Sequence, residues 1–570
     1  MAVVLVVVVV VACVGGQCDL GPFVCRLSGK KLLEAEMGIA KFHTINKEYQ
    51  RAVDNLTTVT VHYSWFLPGM AEKAKVLMLA GEWENAVEAA NKVLEKDNFD
   101  IMSICTIIMN YLVNESLPTE AANKLSELID TLDRMEPKNP DLLFRFARPF
   151  ARLAGGHSQL LNLTLTLMQR ARTINPMSSE YAAEQGYQFR VLGDYARAME
   201  CFKEAARLDE ANMDAIVGML HCQILQGKIE DAESQLEFLS VVQQSVGRTP
   251  AFAFLDQLLA SHRRKSASAQ LRLLKEVMTL HWEAVEQGTE KAADVFDVYL
   301  AMNPQFLLDV AKQHIKHCGT EPQDPAAPVN PHLTECVNIL KYIVERVPGM
   351  MEAQLLLATT QYLRRDFTNA VRTLNKVGRV LFFLCACGCS VCVPAYQACY
   401  SFGGGGGGGV WRHLPFQCLR IDGSSSDVHL LLAQIALYRD DVRKADQSLQ
   451  RAVSYKFEVR NSPLYHIVRG RVLELKGKLE EAVALLEKAM KLPGVKTAGG
   501  ASGSGSGAGA GAGAGSRRGR RNQPAPVDAP RVSLHDRASI WMKVREMGAF
   551  TLCVVAMPSL PPPLGGIQLD

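Results

Sequence analysis

The stretch Ser179 to Asn212, SEYAAEQGYQFRVLGDYARAMECFKEAARLDEAN, sets the tightest limit on what this chain can become. Its apolar residues recur at helical spacing in two runs broken at Gly193-Asp194, so it reads as two antiparallel helices joined by a tight turn. Gly186, Ala198 and Ala205 are small where the helices must approach, while Phe189, Tyr195, Phe202 and Leu208 fill the space around them. One such hairpin cannot bury both of its faces, so a chain built from it must stack copies. The copies are present: Gly193 and Ala198 recur as Gly227 and Ala232, and Ala171, Ile174 and Pro176 precede Ala205, Leu208 and Glu210, each at a spacing of 34 residues.

The pattern resembles the tetratricopeptide repeat, with Glu210 in the usual proline slot. The fold it implies is all-α: a superhelical solenoid of stacked antiparallel helix pairs, interrupted by low-complexity segments. Gly81-Glu82-Trp83 occupies the same turn, with Ala86 behind it, and residues 101–136 and 140–176 form further pairs broken near Pro118 and at Gly155-Gly156. Residues 250–264 and 267–285 read as helices separated by a basic turn, followed by helices over 289–301 and 304–317. After the loop GTEPQDPAAPVNP the register resumes at His332 and continues through Ala370.

From Asp366 to the equivalent Asp441 is 75 residues, more than twice one repeat. The surplus lies at 380–425, rich in cysteine and glycine and without helical period, and reads as an insertion between repeats. Repeats return over 426–498, with Ala445 and Ala482 at the small position. Residues 499–531, an alanine, glycine and serine tract with a basic end, cannot bury enough apolar surface to fold. Residues 532–570 carry a short helix fragment and a proline-rich tail. At the other end, residues 1–29 hold an apolar run without the basic residues of a secretory signal, and read as an extension outside the fold. A secreted reading would make Asn55, Asn114 and Asn162 glycosylation acceptors. The solenoid therefore occupies 30–379 and 426–498.

A net charge of +3, with Lys and Arg alternating with Asp and Glu along helices, is not the concentrated basic surface of a nucleic-acid binder. Of the fifteen cysteines, Cys105, Cys201, Cys222, Cys318 and Cys336 stand singly in helical patterns, as buried hydrophobes do. Cys385, Cys387, Cys389 and Cys392 are too crowded for paired zinc ligands. Gly403 to Gly409 lack the Gly-Lys-Ser/Thr ending of a phosphate loop. His314, His317 and Cys318 share a helix at ligand-compatible spacing but lack a fourth donor, and read as a solvated helix end beside a buried cysteine. No nucleophile, base and carboxylate occur in a catalytic order, so neither enzymatic activity nor a cofactor or metal is expected. Function falls to surfaces: stacked pairs create a concave groove lined by first helices, where Tyr181, Gln185, Gln188, His221, Gln354, Gln361, His429 and Gln434 are the candidates to meet partner segments.

Several runs exceed the generic repeat, among them FHTINKEYQRAVDNLTTVTV, NPDLLFRFARPFARLAGG and RNSPLYHIVRGRVLELKGKLEEAVALLEKAMKLPGVK. With FLPGMAEKAKVLMLAGEWENAVEAANKVL and LHDRASIWMKV they resemble the tetratricopeptide repeat protein 21 family, over roughly 31–379 and 424–498. The resemblance implies a non-enzymatic scaffold, the large repeat subunit of intraflagellar transport complex A. Its partners would be the other complex A subunits and ciliary cargo adaptors, without nucleic acid or a direct membrane span. Its location would be the cilium or flagellum and basal body, with a cytoplasmic pool. A chaperone or peptide-binding adaptor of the same fold is the alternative.

Overall fold

The computed structural model describes residues 33–375 and 424–490, apart from Gly247, Arg264, Lys265, Ala293, Thr320 and Ala327. The expected extension at 1–29, the insertion at 380–425 up to its last two residues, the tract at 499–531 and the tail at 532–570 lie outside them. The described residues are helices and turns, without a strand.

Two compact units result, Met1–Gly319 with Asp324–Thr360 and Thr320–Gln323 with Gln361–Asp570. In the first, helices follow one another as α1 Leu33–Ile45, α2 Tyr49–His62, α3 Leu67–Ala80, α4 Trp83–Leu94, α5 Ile101–Asn110, α6 Pro118–Met135, α7 Pro140–Leu153, α8 Ser158–Ile174 and α9 Ser179–Val191. They continue as α10 Tyr195–Leu208, α11 Met213–Leu225, α12 Ile229–Val246, α13 Pro250–His262, α14 Ala267–Lys291, α15 Val295–Met302, α16 Pro304–Ile315, α17 Pro331–Arg346 and α18 Met351–Leu363, the last passing into the second unit. The second unit adds a helix α19 over 367–375, then α20 Ser424–Tyr438, α21 Val442–Tyr455, a 3₁₀ turn Phe457–Asn461, α22 Pro463–Leu475 and α23 Leu479–Met490.

Local chemistry explains where the helices start and stop. Asp100, Asn139, Ser178, Asp194, Asn212, Thr249 and Ser266 each accept a hydrogen bond from a first-turn backbone N–H. Pro118, Pro140, Pro250, Pro304, Pro331 and Pro463 open helices, where a missing N–H costs nothing. Gly81, Gly193, Gly227 and Gly477 close first helices at φ between +75° and +85°. Arg365 and Asp440 stand at the same turn with φ of +61° and +57°, followed by the capping residues Asp366 and Asp441.

Ala198, Ala205, Ala232, Ala370, Ala445 and Ala482 are fully buried, and Phe202 is buried between two glycines. A Cβ on Gly186 would sit 2.9 Å from its ring and one on Gly218 only 2.4 Å, so both helices flanking Phe202 need a missing side chain. Tyr195 is half-buried beside the turn.

Helix α14 differs from its expected form. It continues through Gly288 to Lys291 instead of yielding to a new helix at 289. Gly288 stands where α15 crosses, and a Cβ there would fall 2.7 Å from that of Ala301, so the crossing needs the missing side chain. The new helix begins after Asp294, whose carboxylate accepts from the N–H groups of Phe296 and Asp297. Helix α15 does not extend the stack: it packs back against α3 and α7, with Phe296 set edge-on to Phe146 and Phe150 at 5.7 and 6.1 Å. Three rings that bury this completely make a dry seam between segments some 150 residues apart.

Candidate functional site: the inner face of the first unit

The first helices α7, α9, α11 and α13 present the face on which a repeat protein would receive a partner. Helix α7 carries Arg145, Arg148 and Arg152 at i, i+3 and i+7, one stripe of a helix. Arg152 forks onto Glu184 of α9, a pair that is almost wholly out of water, and Arg148 approaches the same carboxylate at 3.9 Å. Glu184 also accepts from Gln188 Nε2 at 3.0 Å. The Arg152 guanidinium lies 3.6 Å from the centroid of Tyr187, which Arg190 approaches at 5.0 Å. Burial alone would push the Arg152 proton off, but Glu184 more than offsets this and holds the guanidinium charged.

This network meets the returning chain. Arg145 pairs with Asp294 ahead of α15, and Arg190 stands 3.9 Å from Asp309 of α16, which also receives Gln305 Nε2 at 3.3 Å. Phe306 of α16 packs between Phe254 and His281, at 5.4 and 5.1 Å. The end of α17 then returns to the start of the unit. Between α5 and α6 the chain makes a π turn, Tyr111–Glu115, in which the N–H of Leu117 bonds Tyr111 O at 3.0 Å. Val113 O accepts instead the N–H of Gly349 at 2.6 Å, and Ser116 Oγ donates to Pro348 O at 3.4 Å. The approach is backbone on backbone: a Cβ on Gly349 would fall 2.2 Å from Leu112 O.

The groove candidates land differently from their expected place on an open surface. Tyr181, Gln185, Gln188, Gln354 and Gln361 are buried. Tyr181 donates to Asp141, Gln185 accepts from Arg172, Gln354 donates to Pro348 O, and Gln361 accepts from Thr373 at 3.0 Å. The physical reason is the returning chain and the depth of the helix pairs: these amides and the phenol serve as internal polar joints, as buried polar groups must. His221, His429 and Gln434 are half-buried. Burial holds His221 well below its ordinary range, with Arg190 adding to the effect, so it is neutral. His429 stacks on Tyr455 at 5.2 Å in the second unit.

His314, expected at a solvated helix end, is fully buried, because α17 returns over it. Among the described residues no group of three His, Cys, Asp or Glu side chains is arranged to hold a metal ion, and no helix is long and apolar enough to cross a membrane. The residues that build this face and were not among the site candidates read from sequence are Arg145, Arg152, Glu184, Asp294, Asp309 and Gly349. The arginine stripe was visible as a spacing on α7. Its partners lie up to about 150 residues away, where no periodicity points.

Comparison with known proteins matches residues 123–378 to a family described as tetratricopeptide repeat protein 21 second ARM domain, and residues 457–510 to tetratricopeptide repeat protein 21 ARM repeat. Human tetratricopeptide repeat protein 21B is 30% identical over 468 residues, covering 82% of this chain and 32% of its own length. Mouse tetratricopeptide repeat protein 21A is 29% identical over 464 residues, covering 81% and 32%. This chain thus spans about a third of the length of these curated relatives. A solved tetratricopeptide repeat protein from Parabacteroides merdae ATCC 43184 superposes with a TM-score of 0.35 at 12% identity, over 47% of this chain and 98% of its own, which carries no functional inference. With two family matches that together take in more than half of its residues, the chain belongs to the tetratricopeptide repeat protein 21 family.

Proposed function

We propose that the chain is a non-enzymatic protein-interaction scaffold of intraflagellar transport, a repeat subunit of complex A serving retrograde ciliary traffic and the entry of membrane cargo. The observation that carries the reading is the family match at 123–378 and 457–510, laid over stacked helices in which Arg152 pairs with Glu184 and Gln361 with Thr373. A scaffold of stacked helices offers extended surface rather than a reaction pocket. Its partners would be the other complex A subunits and ciliary cargo adaptors, and its location the cilium or flagellum and basal body with a cytoplasmic pool. His221, His429 and Gln434 remain the groove positions from which a partner can be reached.

The test is recovery of the tagged chain from ciliated cells. Co-purification of complex A subunits with ciliary-base localisation is expected. Binding only to peptides ending in an acidic C-terminal segment, with no complex A subunit recovered, would replace the scaffold by the chaperone-adaptor reading.

A further inference from the structure

Helix α16 ends and α17 begins at three imidazoles that the scaffold reading does not use. The rings of His314 and His332 are 5.3 Å apart and those of His317 and His332 4.7 Å. Their proton positions follow from their neighbours. His332 Nε2 lies 3.2 Å from the carbonyl of Ala267, at the start of α14, and a carbonyl only accepts, so that nitrogen carries the proton. His332 Nδ1 is then an acceptor, and His314 Nδ1, 3.2 Å away, is its donor. This leaves His314 Nε2 as a buried lone pair without a partner. Asn330 completes the joint, donating to His317 O at 3.2 Å and accepting from the N–H of His332 at 2.9 Å.

The His314–His332 pair has room for two ring protons and none for a third. A proton on His332 Nδ1 would set two N–H groups face to face. One on His314 Nε2 would bury a cation with no acceptor. The charges that reach the rings are cations, Lys275 from α14 and Lys316 just past the end of α16, while Glu335 of α17 is engaged by Lys275 at 3.2 Å. The Cys318 and Cys336 thiols donate to His314 O and Ala311 O, at 3.4 and 3.5 Å, and are held neutral by burial. His332 also sits in the first turn of α17, where the helix dipole opposes a positive charge.

We propose that this three-histidine junction is a proton-operated catch: neutral, it binds the start of α14, the end of α16 and the start of α17 together; protonated, it releases them.

Hydrogen exchange of the whole chain, read by mass spectrometry at pH 7.5 and pH 5.0 and corrected for intrinsic rates, tests it. Burial and the neighbouring rings hold His314 down at about 3 against an ordinary 6.5. A depressed base resists protonation only in the closed form, so protection is complete above about 6.5 and is lost as pH falls below it. At pH 5 the opening equilibrium of residues 311–317 and 331–336 should rise about 30-fold over its value at pH 7.5. Helices α8 to α10 should respond less. His314→Asn, whose carboxamide donates in place of Nδ1 and does not titrate, should remove most of that rise. If that variant folds poorly, His314→Gln, which likewise offers a non-titrating carboxamide at the same position, decides in its place. Absence of a local rise in the natural chain, or an undiminished rise in the folded variant, would overturn the catch.

Discussion

Gly349→Ala isolates the contact that joins the end of α17 to the π turn after α5. Gly349 has an ordinary negative φ, so alanine suffers no backbone strain there and the effect reports the approach alone. The added Cβ would stand 2.2 Å from Leu112 O and 2.8 Å from the carbonyl carbons of Leu112 and Val113. These are backbone atoms that no rotamer change moves, so the strands of chain must part by roughly an ångström to reach an ordinary separation. That displacement breaks the 2.6 Å bond from the Gly349 N–H to Val113 O. Overpacking costs about 1–3 kcal/mol, and the lost bond with its stranded carbonyl about another 1–2. Hence we expect about 2–5 kcal/mol, read as a lower denaturant midpoint and as faster amide exchange at residues 111–117 and 347–351. Gly38→Ala is the control, since nothing lies within 4 Å of its added Cβ and the site is helical; it should be neutral or stabilising by up to about 1 kcal/mol. A Gly349→Ala protein that melts and exchanges like Gly38→Ala would refute the close-approach argument.

Glu184→Ala leaves Arg152 charged and buried, and should cost about 3–5 kcal/mol in urea unfolding. The double variant Arg152→Met with Glu184→Met should be more stable than Glu184→Ala; equal loss would show that the pair itself was net stabilising. Phe296→Ala opens a cavity in the seam with Phe146 and Phe150 and should lower stability by about 3–5 kcal/mol, with exchange rising in α7 and α15 together. Arg365→Gly relieves a left-handed residue at φ +61° and should stabilise the second unit by up to about 1 kcal/mol; a loss of thermal midpoint would contradict this.

The repeat positions and turns were legible in the sequence because their causes are local. Gly193 and Asp194 end one helix and cap the next within a few residues, and Ala198, Phe202 and Ala205 face their own hairpin partner at a fixed offset. The family was legible for the same reason, through odd residues inside short runs such as Arg145, Phe146 and Pro149 of α7. Gly218 was not, although it flanks Phe202 as closely as Gly186 does, because it acts across the boundary to the next pair.

The sequence by itself therefore determined the all-α repeat and the places where its helices begin and end. Only the tertiary structure decided what the inner face does with them. Gln188 has the polarity of a groove residue, but packing out of water commits it to Glu184, and His314 becomes a buried donor once α17 lies over it. Asp294, Phe296 and Gly349 gain their roles from chain segments roughly 150 or more residues away. A 34-residue period records how each repeat meets its neighbour, and carries no trace of where the stack turns back upon itself.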